Sequence, residues 1–291
     1  MKVALLDGGL ANQAFQYIFA RYYELSHPGE RMYLDDSYFG LVQIHNGYEL
    51  GKVFHLKPYL LSEYFEPDVW EYMLSECKRG KSIPLLLKEV IDELYMVSEV
   101  GEHLKFNGKR IVIPCNQYFP EIQDYEGDIY YDGYWINKHW FARFQNEFLK
   151  EFFLPDPVEE KNKEYLRLIQ TTQSACLHIR RGDFVDLGWV YPLEGYKEMV
   201  DKFLQYTSVE WDLFVFSDDI LWCKENQDKL GLKRFRTVTY IEGNRNGKNY
   251  IDLWLMSQCK GMIVSNSSFC YLAALLNQKK QLVINTTYRE I

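Results

Sequence analysis

Ser174-Ala175-Cys176-Leu177-His178-Ile179-Arg180-Arg181-Gly182-Asp183 is the stretch on which the fold turns. Its first six residues form a short apolar run that stops at a charged turn. Such a run reads as a buried strand over 174–179. The same pattern recurs downstream. Trp211–Phe216 is a second run, ending in Ser217-Asp218-Asp219, and Thr237–Ile241 is a third. Ile251–Cys259 has helical spacing, Gly261–Val264 reads as a strand ending at Ser265-Asn266, Phe269–Leu276 is helical again, and Gln281–Asn285 is a last strand. Strands alternating with helices predict the α/β class, a parallel sheet with helices on its faces. Ligands of such sheets bind beyond the carboxyl ends of the strands. Three polar clusters fall at those ends: Arg180-Arg181-Gly182-Asp183, Ser217-Asp218-Asp219 and Asn266-Ser267-Ser268.

The N-terminal part begins the same way. Val3–Leu6 reads as a strand, Asp7-Gly8-Gly9 as a turn, and Asn12–Tyr23 as a helix. Leu85–Val97 reads as an amphipathic helix, Ile129–Trp135 as a strand and His139–Phe153 as an aromatic helix. Between the two parts lies Leu154-Pro155-Asp156-Pro157. Each proline disfavours the α region for its predecessor and offers no N–H, so a preceding helix must stop there. The expected division is therefore 1–155 and 156–291.

The 291 residues carry 33 Lys+Arg against 41 Asp+Glu, a net charge of −8. That balance argues against a sequence-independent nucleic-acid binder, which needs a broad basic face. The deficit lies wholly in 1–155, with 15 basic and 23 acidic residues, while 156–291 has 18 of each. A local basic site in the second part is thus compatible with the average. No apolar run reaches the roughly 18 residues of a membrane span. Met1-Lys2-Val3-Ala4-Leu5-Leu6-Asp7 reads as a first strand, not a secretion signal. Six scattered cysteines show no CxxC spacing, so reduced thiols without zinc are expected.

Four constellations can carry chemistry. In a strand ending near Ile179, His178 and Arg180 share one face with Arg181 opposite. Two guanidinium groups at a sheet edge suit a diphosphate, because each presents a planar fork to phosphate oxygens; taken alone, an Arg–Asp salt bridge at a strand end is the plainer reading. Gly8-Gly9 before a helix permits close backbone approach, and the helix start favours anions; a tight turn capped by Asn12 is the plainer alternative. Asn266-Ser267-Ser268-Phe269 at a strand-to-helix junction can cap the helix or hold phosphate. Ser217-Asp218-Asp219, followed by Trp222, can cap a helix, accept hydrogen bonds from a base or ribose, or hold a divalent ion, for which two carboxylates are a thin site. His27, His45, His55, His103 and His139 stand in plain contexts and read as surface or core. No nucleophile set presents itself.

Taken together, these segments resemble glycosyltransferase family 11, the α-1,2-fucosyltransferases. Gly8-Gly9-Leu10-Ala11-Asn12-Gln13-Ala14-Phe15-Gln16-Tyr17 is similar to the family's GGLGNQMFQY opening, with Ala11 and Ala14 replacing Gly and Met. His178–Asp183 matches the HxRRxD signature, and Phe216-Ser217-Asp218-Asp219 with Trp222 matches FSDDxxW. Asp252–Ser257 through Asn266-Ser267-Ser268-Phe269 matches DLxLMS…NSSF, after which Cys270-Tyr271-Leu272 replace the usual Ser-Trp-Trp. Asp132-Gly133-Tyr134-Trp135 resembles DGYWQS, with Ile136-Asn137 in place of Gln-Ser. These anchors occur in the family's order and span nearly the whole chain.

The resemblance implies a GT-B architecture: two Rossmann-like domains facing a cleft, 1–155 on the acceptor side and 156–291 binding the donor. It implies inverting transfer of L-fucose from GDP-β-L-fucose to O2 of a terminal β-galactoside, without a metal or other cofactor. Arg180 is expected on the β-phosphate with Ser267 and Ser268 assisting, and His178 and Asp219 on ribose or guanine. Gly8, Gly9, Arg181, Ser217, Asp218, Asn266 and Phe269 complete the expected donor set. Asn12 is expected to touch the β-phosphate or fucose, and Asp183 to act as base, with Asp186 and Glu194 as alternatives. Gln13 and Trp135 are expected on the acceptor side, where the 30 aromatic residues of 1–155 suit a sugar-stacking face. The expected partners are GDP-fucose and a galactose-terminated glycan, a lipid-linked oligosaccharide of O-antigen or capsule assembly being one form. The expected setting is the bacterial cytoplasm, with at most peripheral contact with the inner membrane. The competing readings are a GT-B transferase with another nucleotide sugar or linkage, and a noncatalytic glycan-binding protein.

Overall fold

A computed structural model describes residues 1–42, 46–99 and 103–285; His45 lies outside the described residues. The chain divides into two compact units, Met1–Phe153 and Leu154–Ile291. Each is a Rossmann-like layer of parallel strands covered by helices, as the α/β expectation requires.

In the first unit the strands are β1 (Lys2–Leu5), β2 (Met32–Asp35), β3 (Leu94–Ser98), β4 (Arg110–Val112) and β5 (Asp128–Asp132). They lie in the order β2-β1-β5-β3-β4, all parallel. The chain leaves β1 toward β2 on one side and comes back to β5 on the other. The helix Leu10–Ser26 packs on this sheet because Phe15, Ile18, Phe19, Tyr22 and Tyr23 recur at helical spacing and are buried.

Three readings of this unit need correction. The expected helix over Leu85–Val97 is instead a short helix, Ile83–Lys88, followed by β3. A brief apolar run fits helix and strand periods alike, and Ile91-Asp92-Glu93 separates the two. The strand expected to reach Trp135 stops at Asp132, since Gly133 and Tyr134 turn the chain and Trp135 takes φ +55°. The aromatic helix over His139–Phe153 is two helices, Lys138–Ala142 and Gln145–Glu151.

The second unit holds β6 (Ser174–Ile179), β7 (Asp212–Ser217), β8 (Thr237–Tyr240), β9 (Gly261–Val264) and β10 (Leu282–Asn285). Their order is β10-β9-β6-β7-β8, again parallel. The direction of winding reverses between β6 and β9, which is where a doubly wound sheet opens a crevice for ligands. All six residues of β6 are buried, as expected of a central strand covered on both faces. The core on one face joins Leu177, Ile179, Tyr196, Val200, Phe203, Trp211, Leu213 and Val215. Gly261 opens β9 because a Cβ there would lie 2.6 Å from Phe203 Cζ and 2.9 Å from Trp211.

A buried polar knot secures the loop after β8. Asn244 exchanges hydrogen bonds with Asn162, at 2.9 and 3.0 Å, and its Nδ2 donates to Asp252 Oδ1 at 2.7 Å. It thereby ties the helices Glu160–Thr171 and Asn249–Ser257 to that loop. Burial pushes the Asp252 carboxyl up to about 7, with the Asn244 bond opposing in part. A carboxyl raised on folding holds its proton more tightly in the native state. Its stabilisation is therefore complete below the unfolded carboxylate range and is lost as pH rises through about 7. Asp252→Asn preserves the acceptor for Asn244 and removes that loss. A larger gain in melting temperature is expected at pH 8 than at pH 4; equal shifts at the two pH values would contradict this reading.

Candidate functional site

The carboxyl ends of β6, β7 and β9 bring the three polar clusters of the second unit onto one edge of the sheet. Alternation along β6 turns His178 into the interior. Burial, and next the Arg180 charge, lower its imidazole to about 3, so it is neutral at physiological pH. Its Nδ1 is buried with no hydrogen-bond partner among the described residues, and its ring lies 5.7 Å from that of Phe269. Buried polar atoms are ordinarily hydrogen-bonded, so this nitrogen calls for a partner, such as an ordered water or a ligand group.

Arg180 leaves the strand and is held from two sides. One terminal nitrogen, Nη2, is 2.7 Å from Asp183 Oδ1; the other, Nη1, is 2.9 Å from Asp218 Oδ2. Its guanidinium also lies 5.6 Å from the centre of the Phe184 ring. Arg181 faces elsewhere: its Nε is 3.2 Å from Asp219 Oδ2, and its guanidinium stacks 4.1 Å above Trp222. The hub is Asp218. Its Oδ1 accepts the Arg181 backbone N–H at 2.8 Å while Oδ2 faces Arg180. Gly182 is required beside it, because a Cβ there would approach Asp218 Oδ2 to 2.6 Å.

The other motif residues are largely structural in their visible bonds. Asp219 Oδ1 caps the helix Ile220–Glu225 by accepting from Trp222 N at 3.1 Å, and the Asp219 N–H donates to Ser217 Oγ at 3.0 Å. Ser267 caps the nine-residue helix Ser268–Leu276, its Oγ accepting from Phe269 N at 3.3 Å. Asn266 Nδ2 donates to the Trp189 carbonyl at 3.0 Å, leaving Asn266 Oδ1 buried and unpaired among the described residues. Asp186 ends the short helix Gly182–Asp186, and Glu194 lies in the first turn of Leu193–Gln205.

In the first unit, Gly8 adopts φ +71°, with Asn12 so close that a Cβ on Gly8 would lie 2.8 Å from Asn12 Nδ2. Gly9 precedes the helix Leu10–Ser26 without a side-chain cap. The acceptor-side expectations need correction here. Gln13 is fully buried; its Nε2 donates to the carbonyls of Gly8 and Gly47, and its Oε1 accepts from Glu49 N, each at 2.9 Å. Trp135 is also fully buried, stacked on Phe19 at 4.1 Å, so it offers no ring face to a sugar. Five of this unit's aromatic residues form one connected cluster, Phe19 meeting Tyr131, Trp135 and Trp140, Tyr22 meeting Trp140, and Tyr131 meeting Trp135.

Sequence reading missed three groups. Glu99 is a buried carboxylate that accepts backbone N–H bonds from Asn116, Tyr134 and Trp135 at 3.0, 3.0 and 2.7 Å, and so shapes the turn after β5. His103, assigned no role, places Nδ1 3.1 Å from the buried Asp132 Oδ1, and that hydrogen bond raises its imidazole pKa. Arg245 reaches back across the loop after β8, its Nη2 donating to the Asp218 carbonyl at 3.0 Å. None belongs to a motif, and each makes its contact with residues at least 17 positions away in sequence.

The family description "Glycosyl transferase family 11" matches residues 120–290. Among characterised proteins, the chain is 29% identical to an alpha-1,2-colitosyltransferase of Escherichia coli, over 94% of this chain and 87% of that one. It is 25% identical to the O-antigen biosynthesis glycosyltransferase WbnK of Escherichia coli, over 94% and 89% of the two chains. A shorter match, 27% identical over 50% of this chain and 42% of the relative, is to galactoside alpha-(1,2)-fucosyltransferase 2 of Oryctolagus cuniculus. The strand-end arginine pair, its carboxylate partners and the family match extending across the second unit lead to one conclusion: this chain belongs to glycosyl transferase family 11 and is a glycosyltransferase.

Proposed function

We propose that the chain moves L-fucose from GDP-β-L-fucose to O2 of a terminal β-galactoside, with inversion at the transferred carbon. The observation that carries this reading is Arg180, held between Asp183 and Asp218 at the carboxyl end of β6, beside the point where the sheet reverses its winding. A leaving diphosphate gains charge as the sugar bond breaks, and a guanidinium fixed in place beforehand stabilises that charge without reorganising. Ser267, Ser268 and the start of their helix add hydroxyl and N–H donors. His178 Nδ1 and Asp219 serve the ribose or guanine. The reading needs no metal, since arginines and helix-end donors supply the neutralisation.

Asp183 takes the proton of the acceptor hydroxyl. Its Oδ1 accepts from Arg180, while Oδ2 has no partner among the described residues and the side chain is 43% exposed. One carboxylate can thus orient the arginine and remain open to the acceptor. In this reading residues 156–291 hold the donor and residues 1–155 serve the acceptor.

The acceptor class follows from the named relatives: a galactoside for the fucosyltransferase, and an O-antigen glycan for WbnK. A lipid-linked precursor in a bacterial cytoplasm, with at most peripheral contact with the inner membrane, fits the second. No helix of the described residues is long and apolar enough to cross a membrane. A second donor is favoured by the colitosyltransferase relative: colitose differs from fucose by one missing hydroxyl, so the same diphosphate site would serve it.

Calorimetric titration tests the donor class. GDP is expected to bind at least tenfold more tightly than UDP or ADP. Preference for UDP or ADP would reject the GDP-sugar reading, and release of GDP from GDP-fucose that lactose fails to accelerate would favour a binding protein.

A further inference from the structure

We infer that Arg245 is a third guanidinium of the donor site and binds the outer phosphate of the nucleotide diphosphate; the inference rests on the donor reading above. It starts from the charge at the strand ends. Arg180 is engaged by Asp183 and Asp218, and Arg181 by Asp219. Carboxylates therefore outnumber guanidinium groups in the motif cluster, a poor setting for a dianion. Arg245 changes that balance. Its Nη2 donates to the Asp218 carbonyl at 3.0 Å, which brings its charge to the same hub, and no carboxylate pairs with it among the described residues. The remaining N–H groups of its fork are open to a ligand, and the residue is exposed.

The loop that carries Arg245 is shaped for this. Gly243, Asn246 and Gly247 adopt φ +104°, +56° and +85°, so the chain turns tightly on both sides of the arginine. Asn244, next to it, is buried and locked by Asn162 and Asp252. A buried anchor beside an exposed cation fixes where that cation is presented, which lowers the entropic cost of using it. The loop leaves the end of β8, on the edge of the sheet where the other donor residues lie.

The test is calorimetric titration of the full-length wild type, Arg245→Ala and Arg245→Lys with GDP and with GMP, which lacks the outer phosphate. Arg245→Ala is expected to weaken GDP by about tenfold or more, in line with one charge-assisted hydrogen bond, and GMP by much less. The preference for GDP over GMP should shrink accordingly, and Arg245→Lys should restore part of it. An alanine variant whose GDP affinity stays within twofold of wild type would overturn the inference and leave the donor reading standing. Equal losses for GDP and GMP would also overturn it, since the contact would then not be to the outer phosphate. Should the wild type prefer UDP or ADP, the donor reading falls, and Arg245 is judged by the same comparison on that diphosphate and its monophosphate.

Discussion

Arg180→Ala is expected to abolish sugar transfer and to weaken GDP binding by roughly 10- to 100-fold. The argument has two parts. The substitution removes a guanidinium whose charge-assisted bonds to phosphate contribute about 1.5–3 kcal/mol each. It also frees Asp183 and Asp218, both now held by Arg180, to repel the incoming diphosphate. Loss of one positioned donor to a developing anion costs about 10²–10³ in kcat, and the uncovered carboxylates add to that. Asp183→Asn separates the two roles given to that carboxylate. The amide keeps a hydrogen-bond acceptor for Arg180 but cannot take a proton, so GDP binding should stay near wild type while transfer falls by about 10²–10⁴. Steady-state rates and calorimetry on the two variants check this. Full activity in Arg180→Ala would remove the donor site from this strand end, and wild-type turnover in Asp183→Asn would move the proton step to another residue.

Trp135→Ala is expected to lower stability by about 3–5 kcal/mol, the range for truncating a buried aromatic ring. The ring is fully buried, stacks on Phe19 at 4.1 Å and meets Tyr131 edge-on at 6.1 Å. Its Nε1 has no partner among the described residues, so packing and not a hydrogen bond fixes it. Trp135→Phe retains most of that packing and should cost far less. Denaturant unfolding measures both. An alanine variant that unfolds like the wild type but shows a raised KM for the acceptor would restore Trp135 as a sugar platform.

The same residue shows where the sequence was legible and where it was not. The DGYW segment drew attention to Trp135, and an aromatic ring beside a glycine turn resembles a carbohydrate platform. Its burial depends on Phe19, 116 positions earlier, and on Glu99 fixing the turn by its bonds to Tyr134 and Trp135. No local pattern contains those contacts. Gln13 is similar: its polarity suggests a ligand contact, yet its amide hydrogens go to the carbonyls of Gly8 and Gly47 and its oxygen accepts from Glu49 N, all inside the fold. The second unit was easier to read, because β6, β7 and β9 are short uninterrupted apolar runs whose ends coincide with the polar clusters. The arginines and carboxylates of the site could therefore be placed at one sheet edge from sequence. Which carboxylate meets which arginine could not, since Asp218 reaches Arg180 across 38 positions and Arg245 returns to Asp218 from a loop without a motif.

The central claim is the transfer itself, and linkage analysis of one reaction tests it most directly. The full-length chain is incubated with GDP-fucose and a panel of β-galactosides, and the product is analysed for linkage position and anomeric configuration. The account predicts fucose α-linked to O2 of the terminal galactose. Fucose at any other position, a β-linkage, or no transfer to any galactoside would contradict it.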